Sequence, residues 1–369
     1  MAKLIDITGK CISGEWGLDD NDGTGIPVLR TTNFTNDGIV NFSNVVTRQI
    51  NKKNLSDKYL KQGDIIIEKS GGSDNQPVGR VIYFDGPKNT YLFNNFTGLL
   101  RVADQTTWLP KYVFYALFAN YQNGGTKSFE NKTTGLHNLK TDSYVQSVDI
   151  KELSYEDQKP IVTFLDKITH LIFLRKQQLS KLDELVKSRF IEMFDDKGYP
   201  KLKWNEVFNT TTGKLDSNAM VADGKYPFFT CAKEIFRIDK YAFDQEALLL
   251  AGNNAAGKYD VKYYKGKFNA YQRTYVLGLK QNWSYQLFRY QLEDKLDYLQ
   301  QQSLGGLTKY LTIKILGELE FIVPPMDKQD EFTAFVEQTD KSKFYIIQTQ
   351  KITELLIRAI QYKTKEVLL

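Results

Sequence analysis

The stretch that decides the fold is DQKPIVTFLDKITHLIFLRKQQLSKLDELVKSRFIEMF, residues Asp157–Phe194, which predicts one long helix. A second long helical stretch follows at Lys328–Leu369. Each comes after a block of short apolar runs separated by turn residues. Gln158 and Gln329 occupy equivalent places, 329 − 158 = 171 residues apart. The sequence therefore predicts an internal repeat of two globular blocks, each followed by its own long helix.

The segments of the two blocks correspond in order, although their spacing drifts. The matched pairs are QGDIIIEKSGG (Gln62–Gly72) with QEALLLAGNN (Gln245–Asn254), LPKYVFYALFANY (Leu109–Tyr121) with YQLFRYQLEDKLDYLQ (Tyr285–Gln300), and TTGLHNLKTDSYV (Thr133–Val145) with SLGGLTKYLTIKIL (Ser303–Leu316). Short β-branched runs bounded by Gly, Asn or Pro favour strands, and the second pair favours helices. We expect an α+β protein with two mixed α/β domains separated by two long helices. The predicted boundaries are 1–151 and 197–326 for these domains, and 152–196 and 327–369 for the helical regions.

The first long helix has apolar residues spaced alternately three and four apart, the pattern of a coiled coil. Arg175 and Arg189 interrupt this seam. The predicted seam positions are Leu165, Ile168, Ile172, Leu179, Leu182 and Val186, with Ile352 and Leu356 in the second helix. EQTDKSK (Glu337–Lys343) lacks apolar residues and predicts a break or an exposed turn in that helix.

A helix of about 35 residues spans roughly 50 Å. Two such helices side by side predict a rigid spacer with pseudo-two-fold character, and a two-fold relation between the repeats requires them to run antiparallel. The alternative is that both are ordinary bundle helices with no spacing role.

Composition restricts the class of protein. The 369 residues suffice for two domains, and 41% hydrophobic and 25% charged residues are typical of soluble globular proteins. The net charge of +5 does not by itself indicate a nucleic-acid partner. Cys11 and Cys231 lack CxxC spacing, which favours a reducing cytoplasm over a disulfide framework. No apolar run has the length of a membrane span, and the N-terminal residues lack a signal-peptide core.

Enzyme signatures are missing. No Gly-Lys pair is followed by Ser or Thr, so there is no Walker A loop. No Pro follows an Asn, so the Asn-Pro-Pro-aromatic site of amino-methyltransferases is absent. His137 and His170 lie in different predicted elements, which gives no metal site or catalytic triad. Glu293 and Lys295 have the spacing of many nucleases, but a solvated helix face explains them better. The sequence thus predicts a protein without catalytic residues or a metal.

The strongest local signal for binding is GKYDVKYYKGKFNAYQR (Gly257–Arg273), where five basic residues face one acid and aromatic residues lie between them. Basic side chains neutralise phosphates, amides bind adenine edges, and arginine binds guanine. The alternative is a twisted hairpin whose tyrosines pack and whose lysines keep an edge soluble. Candidate DNA contacts here and nearby are Asn253, Asn254, Lys258, Lys262, Tyr263, Tyr264, Lys265, Lys267, Gln272, Arg273, Lys309 and Tyr310.

The first block has a looser counterpart in three polar segments. They are EKSGGSDNQPVGR (Glu68–Arg80), NNFTG (Asn94–Gly98) and TKSFENKTTGLHN (Thr126–Asn138). The segment Glu68–Arg80 follows a predicted strand, and AGNNAAGKY occupies the same place after the corresponding strand of the second block. This correspondence strengthens the prediction of DNA contacts in both blocks. The candidate DNA contacts are Lys69, Asn75, Gln76, Arg80, Asn94, Asn95, Lys127, Lys132 and His137.

The order of variable domain, long helix, variable domain and long helix resembles the specificity subunits of type I restriction-modification systems. GGLTKYLTIKILGELEFIVPPMDKQDEF (Gly305–Phe332) is similar to that family's junction, in which an apolar strand leads into a Pro-Pro turn and a helix that begins near a Gln. The first junction, VDIKELSYEDQKPI (Val148–Ile161), keeps the Gln but lacks the Pro pair.

The resemblance implies a non-catalytic subunit that recognises double-stranded DNA, with each block contacting one half of a bipartite, asymmetric target. It implies two modification subunits, which use S-adenosylmethionine to methylate adenine, and restriction subunits, which use ATP and Mg²⁺. This chain itself would hold no cofactor. Apolar helix residues outside the seam are candidate partner contacts, or are buried against the domains. They are Leu171, Phe173, Leu174, Phe190 and Phe194.

Three alternatives remain. In the first, the chain is the recognition module of another restriction or phage-defence enzyme. In the second, it is a protein-interaction adaptor without DNA binding. In the third, it is a stand-alone nuclease or methyltransferase. The missing motifs disfavour the last of these.

Overall fold

The computed structural model describes residues 1–133, 136–255 and 257–368, with side chains described in these ranges except at 133 and beyond 353. The chain forms two compact units. The first comprises Met1–Lys176 together with Gln348–Leu369, and the second comprises Gln177–Ile347. Both long helices therefore contribute residues to each unit.

The two predicted long helices are confirmed. The described helices are α1 (Leu4–Thr8), α2 (Pro110–Gln122), α3 (Thr141–Ser147), α4 (Tyr155–Phe194), α5 (Trp204–Val207), α6 (Tyr285–Asp294), α7 (Leu296–Gln302), α8 (Ile313–Gly317) and α9 (Met326–Leu368). Helix α4 has 40 residues and α9 has 43. The single helix expected at Tyr285–Gln300 is instead divided between α6 and α7 at Lys295.

The expected break at Glu337–Lys343 is wrong, because α9 continues through this polar stretch. The Thr339 hydroxyl donates a hydrogen bond to the Phe335 carbonyl at 2.9 Å, one turn earlier. The Lys343 ammonium lies 2.6 Å from the Asp183 carboxylate of α4. Polar residues remain helical when neighbouring groups at helical spacing, or on a facing helix, pair with them.

The seam predicted for α4 is the covered face of that helix, since each predicted position on it is buried or half-buried. The two interrupting arginines bond to α9. Arg175 donates to the Thr353 hydroxyl at 2.6 Å, and Arg189 donates to the Glu331 carboxylate at 2.6 Å. Ile352 was predicted wrongly as a seam residue: its side chain is 58% exposed, because Thr353 occupies the covered face instead. The side chain of Leu356 lies outside the described residues.

The first unit is built on short sheets. Its described strands are β1 (Ala2–Lys3), β2 (Ile12–Ser13), β3 (Leu18–Asp19), β4 (Ile26–Leu29), β5 (Val46–Gln49), β6 (Ile65–Glu68), β7 (Ser70–Gly72), β8 (Val81–Tyr83), β9 (Leu92–Phe93), β10 (Thr97–Leu100), β11 (Glu130–Thr133), β12 (Leu136–Leu139) and β13 (Asp149–Ile150). The sheet orders are β2-β10-β6-β8, β3-β5-β4-β9, β11-β12-β7 and β1-β13. These named strands pair antiparallel, except for the parallel pair β4–β9.

The second unit repeats this plan with a larger sheet. Its described strands are β14 (Lys201–Lys203), β15 (Phe208–Thr212), β16 (Tyr226–Phe229), β17 (Phe236–Ile238), β18 (Phe243–Ala251), β19 (Asn253–Asn254), β20 (Val261–Ala270), β21 (Thr274–Leu279), β22 (Lys309–Tyr310) and β23 (Glu320–Ile322). The sheet orders are β15-β21-β18-β20-β16-β17, β14-β23 and β19-β22.

The central strand of each unit is apolar on both faces because both faces are covered. In β6, Ile65 and Ile67 pack in a core with α2, whereas Ile66 packs in a second core on the opposite face. In β18, Leu248 packs in a core with α6, and Leu249 packs on the other side. Successive strand residues point to opposite faces, so a continuous apolar run is what such a strand requires.

Gln158 and Gln329 are equivalent in structure as well as in sequence. The Gln158 amide accepts from the Leu109 backbone N–H at 2.8 Å, and the Gln329 amide accepts from the Ser284 backbone N–H at 2.9 Å. Both side chains are almost completely buried. Leu109 and Ser284 are the N-caps of α2 and α6. Each glutamine thus fixes the start of a long helix to the start of a domain helix.

Candidate nucleic-acid interface

Each unit has a short polar strand pair directly after its central strand. In the second unit β19 follows β18 and pairs with β22, with Asn253 opposite Tyr310. In the first unit β7 follows β6 and pairs with β12, with Gly72 opposite His137. The sequence segments predicted to correspond therefore occupy the same place in both folds.

A polar cleft of about 380 Å³ lies beside β19 and β22 in the second unit. Its lining residues are Thr212, Gly252, Asn253, Gln272, Arg273, Tyr275, Thr308, Tyr310 and Leu311. The cleft unites predicted DNA contacts from three places in the sequence. Four of them line it: Asn253, Gln272, Arg273 and Tyr310.

The turn before β21 positions Gln272 and Arg273. The Thr274 N–H donates to the Tyr271 carbonyl at 2.8 Å, and the Gly252 N–H donates to the Arg273 carbonyl at 2.8 Å. A side chain at Gly252 would place its Cβ 2.4 Å from that carbonyl oxygen, so this close approach of backbones requires glycine. The main chain of Arg273 is therefore held while its side chain points outward.

The Gln272 and Arg273 side chains are exposed and make no hydrogen bond or ion pair with the part of the chain that the structure describes. Their donors remain available to a ligand. A guanidinium donates two parallel hydrogen bonds to the O6 and N7 of guanine, and a side-chain amide pairs with the N6 and N7 of adenine. The cleft thus presents the groups that distinguish purines in a major groove.

Most of the basic cluster at Gly257–Arg273 has internal partners, contrary to the interpretation of it as one DNA-binding surface. Lys262 contacts Asp260 and donates to the Ala232 carbonyl at 2.8 Å. Lys265 lies 3.1 Å from Glu246, and Lys267 lies 3.9 Å from Asp244. Glu246 and Asp244 lie on the neighbouring strand β18, whose register with β20 places them opposite Lys265 and Lys267.

The two tyrosines of β20 point to opposite faces and pack internally. The Tyr263 hydroxyl donates to the Glu246 carboxylate at 2.8 Å, and burial raises the pKa of Tyr263 to about 12. Tyr264 packs against Phe229 and Phe268. The hairpin alternative therefore describes Tyr263, Tyr264 and Lys262 correctly, and we do not retain them as proposed contacts. Lys258 remains exposed.

In the first unit, several predicted contacts are structural. Arg80 makes a two-pronged ion pair with Glu68 at 2.8 and 3.1 Å and is mostly buried. Asn94 is 4% exposed, so neither residue is retained as a DNA contact. His137 is also buried, with Nδ1 2.6 Å from the Glu130 carboxylate.

Other predicted contacts of the first unit reach its surface. Lys132 is paired with Asp74, and this partner raises the pKa of the Lys132 ammonium. Lys69 is half-buried and donates to the Ser13 hydroxyl at 2.9 Å, and burial lowers its pKa. Gln76 is half-buried beside Asn36. The remaining exposed candidates are Asn75, Asn95 and Lys127.

Sequence reasoning missed three polar residues of the cleft: Thr212, Tyr275 and Thr308. Tyr275 is fixed by its hydroxyl, which donates to the Leu311 carbonyl at 3.0 Å. Thr212 ends β15 and Tyr275 lies on β21, and these strands pair with Thr212 opposite Tyr275. No local pattern marks Thr212 and Tyr275, because strand pairing brings them together.

A family model for the type I restriction modification DNA specificity domain matches residues 1–184 and again residues 197–356. The chain belongs to this family. The two matches correspond to the two halves of the predicted repeat.

A curated member of the family aligns with part of this chain. The specificity subunit of the type I restriction enzyme EcoDI from Escherichia coli is 33% identical over 162 residues, which is 42% of this chain and 35% of that subunit. The aligned part spans about a third of that relative's length.

Solved structures share the fold. The S subunit of the type I restriction-modification system from M. genitalium has a TM-score of 0.59 at 15% identity, covering 98% of this chain and 94% of that one. A chain from a structure on complex assembly and conformational transition of the type I R-M system has a TM-score of 0.51 at 15% identity, covering 98% of this chain and 96% of that one. At this identity the likeness establishes the fold alone.

The described residues include no group of three or more His, Cys, Asp or Glu side chains arranged to hold a metal ion. Within the same ranges, no helix combines the length and the apolar character that a bilayer crossing needs.

Proposed function

We propose that this chain is the DNA-recognition subunit of a type I restriction-modification complex, acts in the cytoplasm, and has no catalytic activity of its own. Residues 1–151 contact one half of a bipartite, asymmetric target, and residues 197–326 contact the other. The observation that carries the proposal is the polar strand pair at the same place in both units. In the second unit it lines a cleft with Gln272 and Arg273, whose side chains make no hydrogen bond or ion pair with the described residues. Family membership supports it.

The helical regions, 152–196 and 327–369, set the gap between the two half-sites as an antiparallel coiled-coil spacer with pseudo-two-fold character. At 1.5 Å per residue, a 40-residue helix is about 60 Å long. Contacts within the second unit support the antiparallel order, since Asp183 pairs with Lys343 and Arg189 pairs with Glu331. From the first pair to the second, the residue number rises from 183 to 189 on α4 and falls from 343 to 331 on α9, as antiparallel helices require.

The subunit assembles with two modification subunits and with restriction subunits. These partners bind the S-adenosylmethionine, ATP and Mg²⁺ that methylation and cleavage require, and this chain holds no cofactor. Leu171, Phe173 and Leu174 support a docking role for α4, because each is between 40 and 46% exposed. Phe190 and Phe194 are withdrawn as docking residues, since both pack against Phe332 inside the second unit.

The test is a selection from random duplex DNA with the full chain and the subunits that co-purify with it. We expect an enriched motif in two unequal halves around a fixed, unspecified gap. Replacing residues 197–326 with the equivalent block of a relative should change one half and leave the other half and the gap intact. A palindromic motif contradicts the proposal. No enrichment at low salt with partners present supports the adaptor function instead.

A further inference from the structure

A leucine projects from a hairpin loop beside the cleft of the second unit. Leu304 and Tyr310 form a bridge, with backbone N···O distances of 3.1 and 2.9 Å in the two directions. Leu307 lies at the tip of this loop and is 95% exposed. Folding therefore buries almost none of this apolar side chain.

The loop has a defined shape that presents Leu307. Gly305 has φ +102°, a conformation that other residues avoid, and a Cβ there would lie 2.2 Å from the Thr308 carbonyl oxygen. Thr308 and Tyr310 both line the cleft with Arg273. Leu307 is thus fixed next to the groups that we propose contact bases.

The first unit has a leucine at the equivalent place. Leu136 begins β12, pairs with Thr133 across the β11–β12 hairpin, and is 58% exposed. Strand β12 pairs with β7 as β22 pairs with β19. Leu136 and Leu307 are 307 − 136 = 171 residues apart, the same separation as Gln158 and Gln329. Apolar residues scattered singly over a surface are normal, but two exposed leucines at matching positions of a repeat call for an explanation.

Apolar side chains next to a polar DNA-binding surface have a specific use. Inserted between two base pairs, they unstack the step and bend the duplex. Pyrimidine–purine steps deform most easily, so such insertion adds sequence preference without a hydrogen bond to a base. An inserted leucine also gains the burial that it lacks in the free protein.

We propose that Leu307 and Leu136 each insert at a base step within the half-site of their own unit. Part of the target specificity is then indirect, with a preference for a deformable step at one position in each half. This inference rests on the proposed DNA-recognition function.

The experiment uses the full chain with its co-purifying subunits and the target duplex from the selection above. The adenine analogue 2-aminopurine replaces one purine at a time, because its fluorescence rises when a base is unstacked. We expect a rise at one step in each half. Leu307→Ala should abolish the rise in the second half only and weaken binding about tenfold, the scale expected when a leucine loses its burial. Leu136→Ala should affect the first half only.

Two controls separate insertion from general damage. Leu307→Met keeps a long apolar side chain and should retain the fluorescence rise. Leu18→Ala removes a leucine that is 69% exposed on β3 and should change neither half. If the wild-type complex gives no rise at any step, or if Leu307→Ala retains it, insertion is refuted while the selected bipartite motif still stands. If no motif is selected, the recognition function and the insertion both fail.

Discussion

Replacing Gln329 with alanine removes a buried link between α9 and α6. Its amide accepts from the Ser284 N–H at 2.9 Å and donates to the Pro324 carbonyl at 2.8 Å. The substitution leaves the Ser284 N–H and the Pro324 carbonyl without these hydrogen bonds. Each unsatisfied buried group lowers the free energy of unfolding by about 1–3 kcal/mol. Partial access to water at Ser284 lowers that cost, so we expect the free energy of unfolding to fall by about 2–4 kcal/mol.

The assay is urea unfolding followed by tryptophan fluorescence, since Trp283 precedes the affected Ser284 directly. Gln158→Ala should lower the free energy of unfolding by at least as much, because the Gln158 amide bonds to three backbone groups. Gln338→Ala, at an exposed position on α9, is the matched control and should change the free energy of unfolding by less than about 0.5 kcal/mol. A Gln329→Ala variant as stable as this control would refute the argument.

Three further predictions concern binding, pH and assembly. Arg273→Ala should weaken binding to the target duplex by about 1–3 kcal/mol and relax base preference in the second half only, as measured by repeating the selection. Lys265→Ala, at an ion-paired position on β20, should leave both halves unchanged. Because burial raises the pKa of Tyr263 to about 12 from a usual 10, the folded state favours the protonated hydroxyl. The free energy of unfolding should therefore fall between about pH 10 and pH 12, and Tyr263→Phe should flatten this slope in urea titrations at stepped pH. Phe173→Ser should reduce co-purification of the modification subunits without loss of stability, whereas Phe190→Ser should lower the unfolding midpoint, because only Phe190 packs in a core. Equal stability of these two variants would contradict the assignment of their environments.

Features that follow from local sequence were predictable. The long helices, the covered face of α4 and the repeated central strands arise from the spacing of apolar residues, which determines which face is buried. The equivalence of Gln158 and Gln329 was also visible in the sequence, since each lies near the start of a repeated helix. Continuity of α9 at Glu337–Lys343 was not predictable, because it depends on Asp183 of the other helix.

The interface was harder to predict because strand register determines it. Lys265 and Lys267 resembled a free basic cluster in sequence, but β18 places Glu246 and Asp244 opposite them. Charge on one strand is uninformative until the residues of the neighbouring strand are known. Cleft residues from distant segments likewise meet only through the sheet.

The contact between Arg175 and Thr353 bears on how the protein is made. The two residues are 178 positions apart in the chain, yet both belong to the first unit. At about 5–20 residues per second, the ribosome adds Thr353 roughly 9–36 s after Arg175. During that interval the half of α4 that belongs to the first unit lacks its contact from α9. Synthesis of the first unit therefore starts before that of the second unit and ends after it. The first unit can be completed only once the whole second unit has been made.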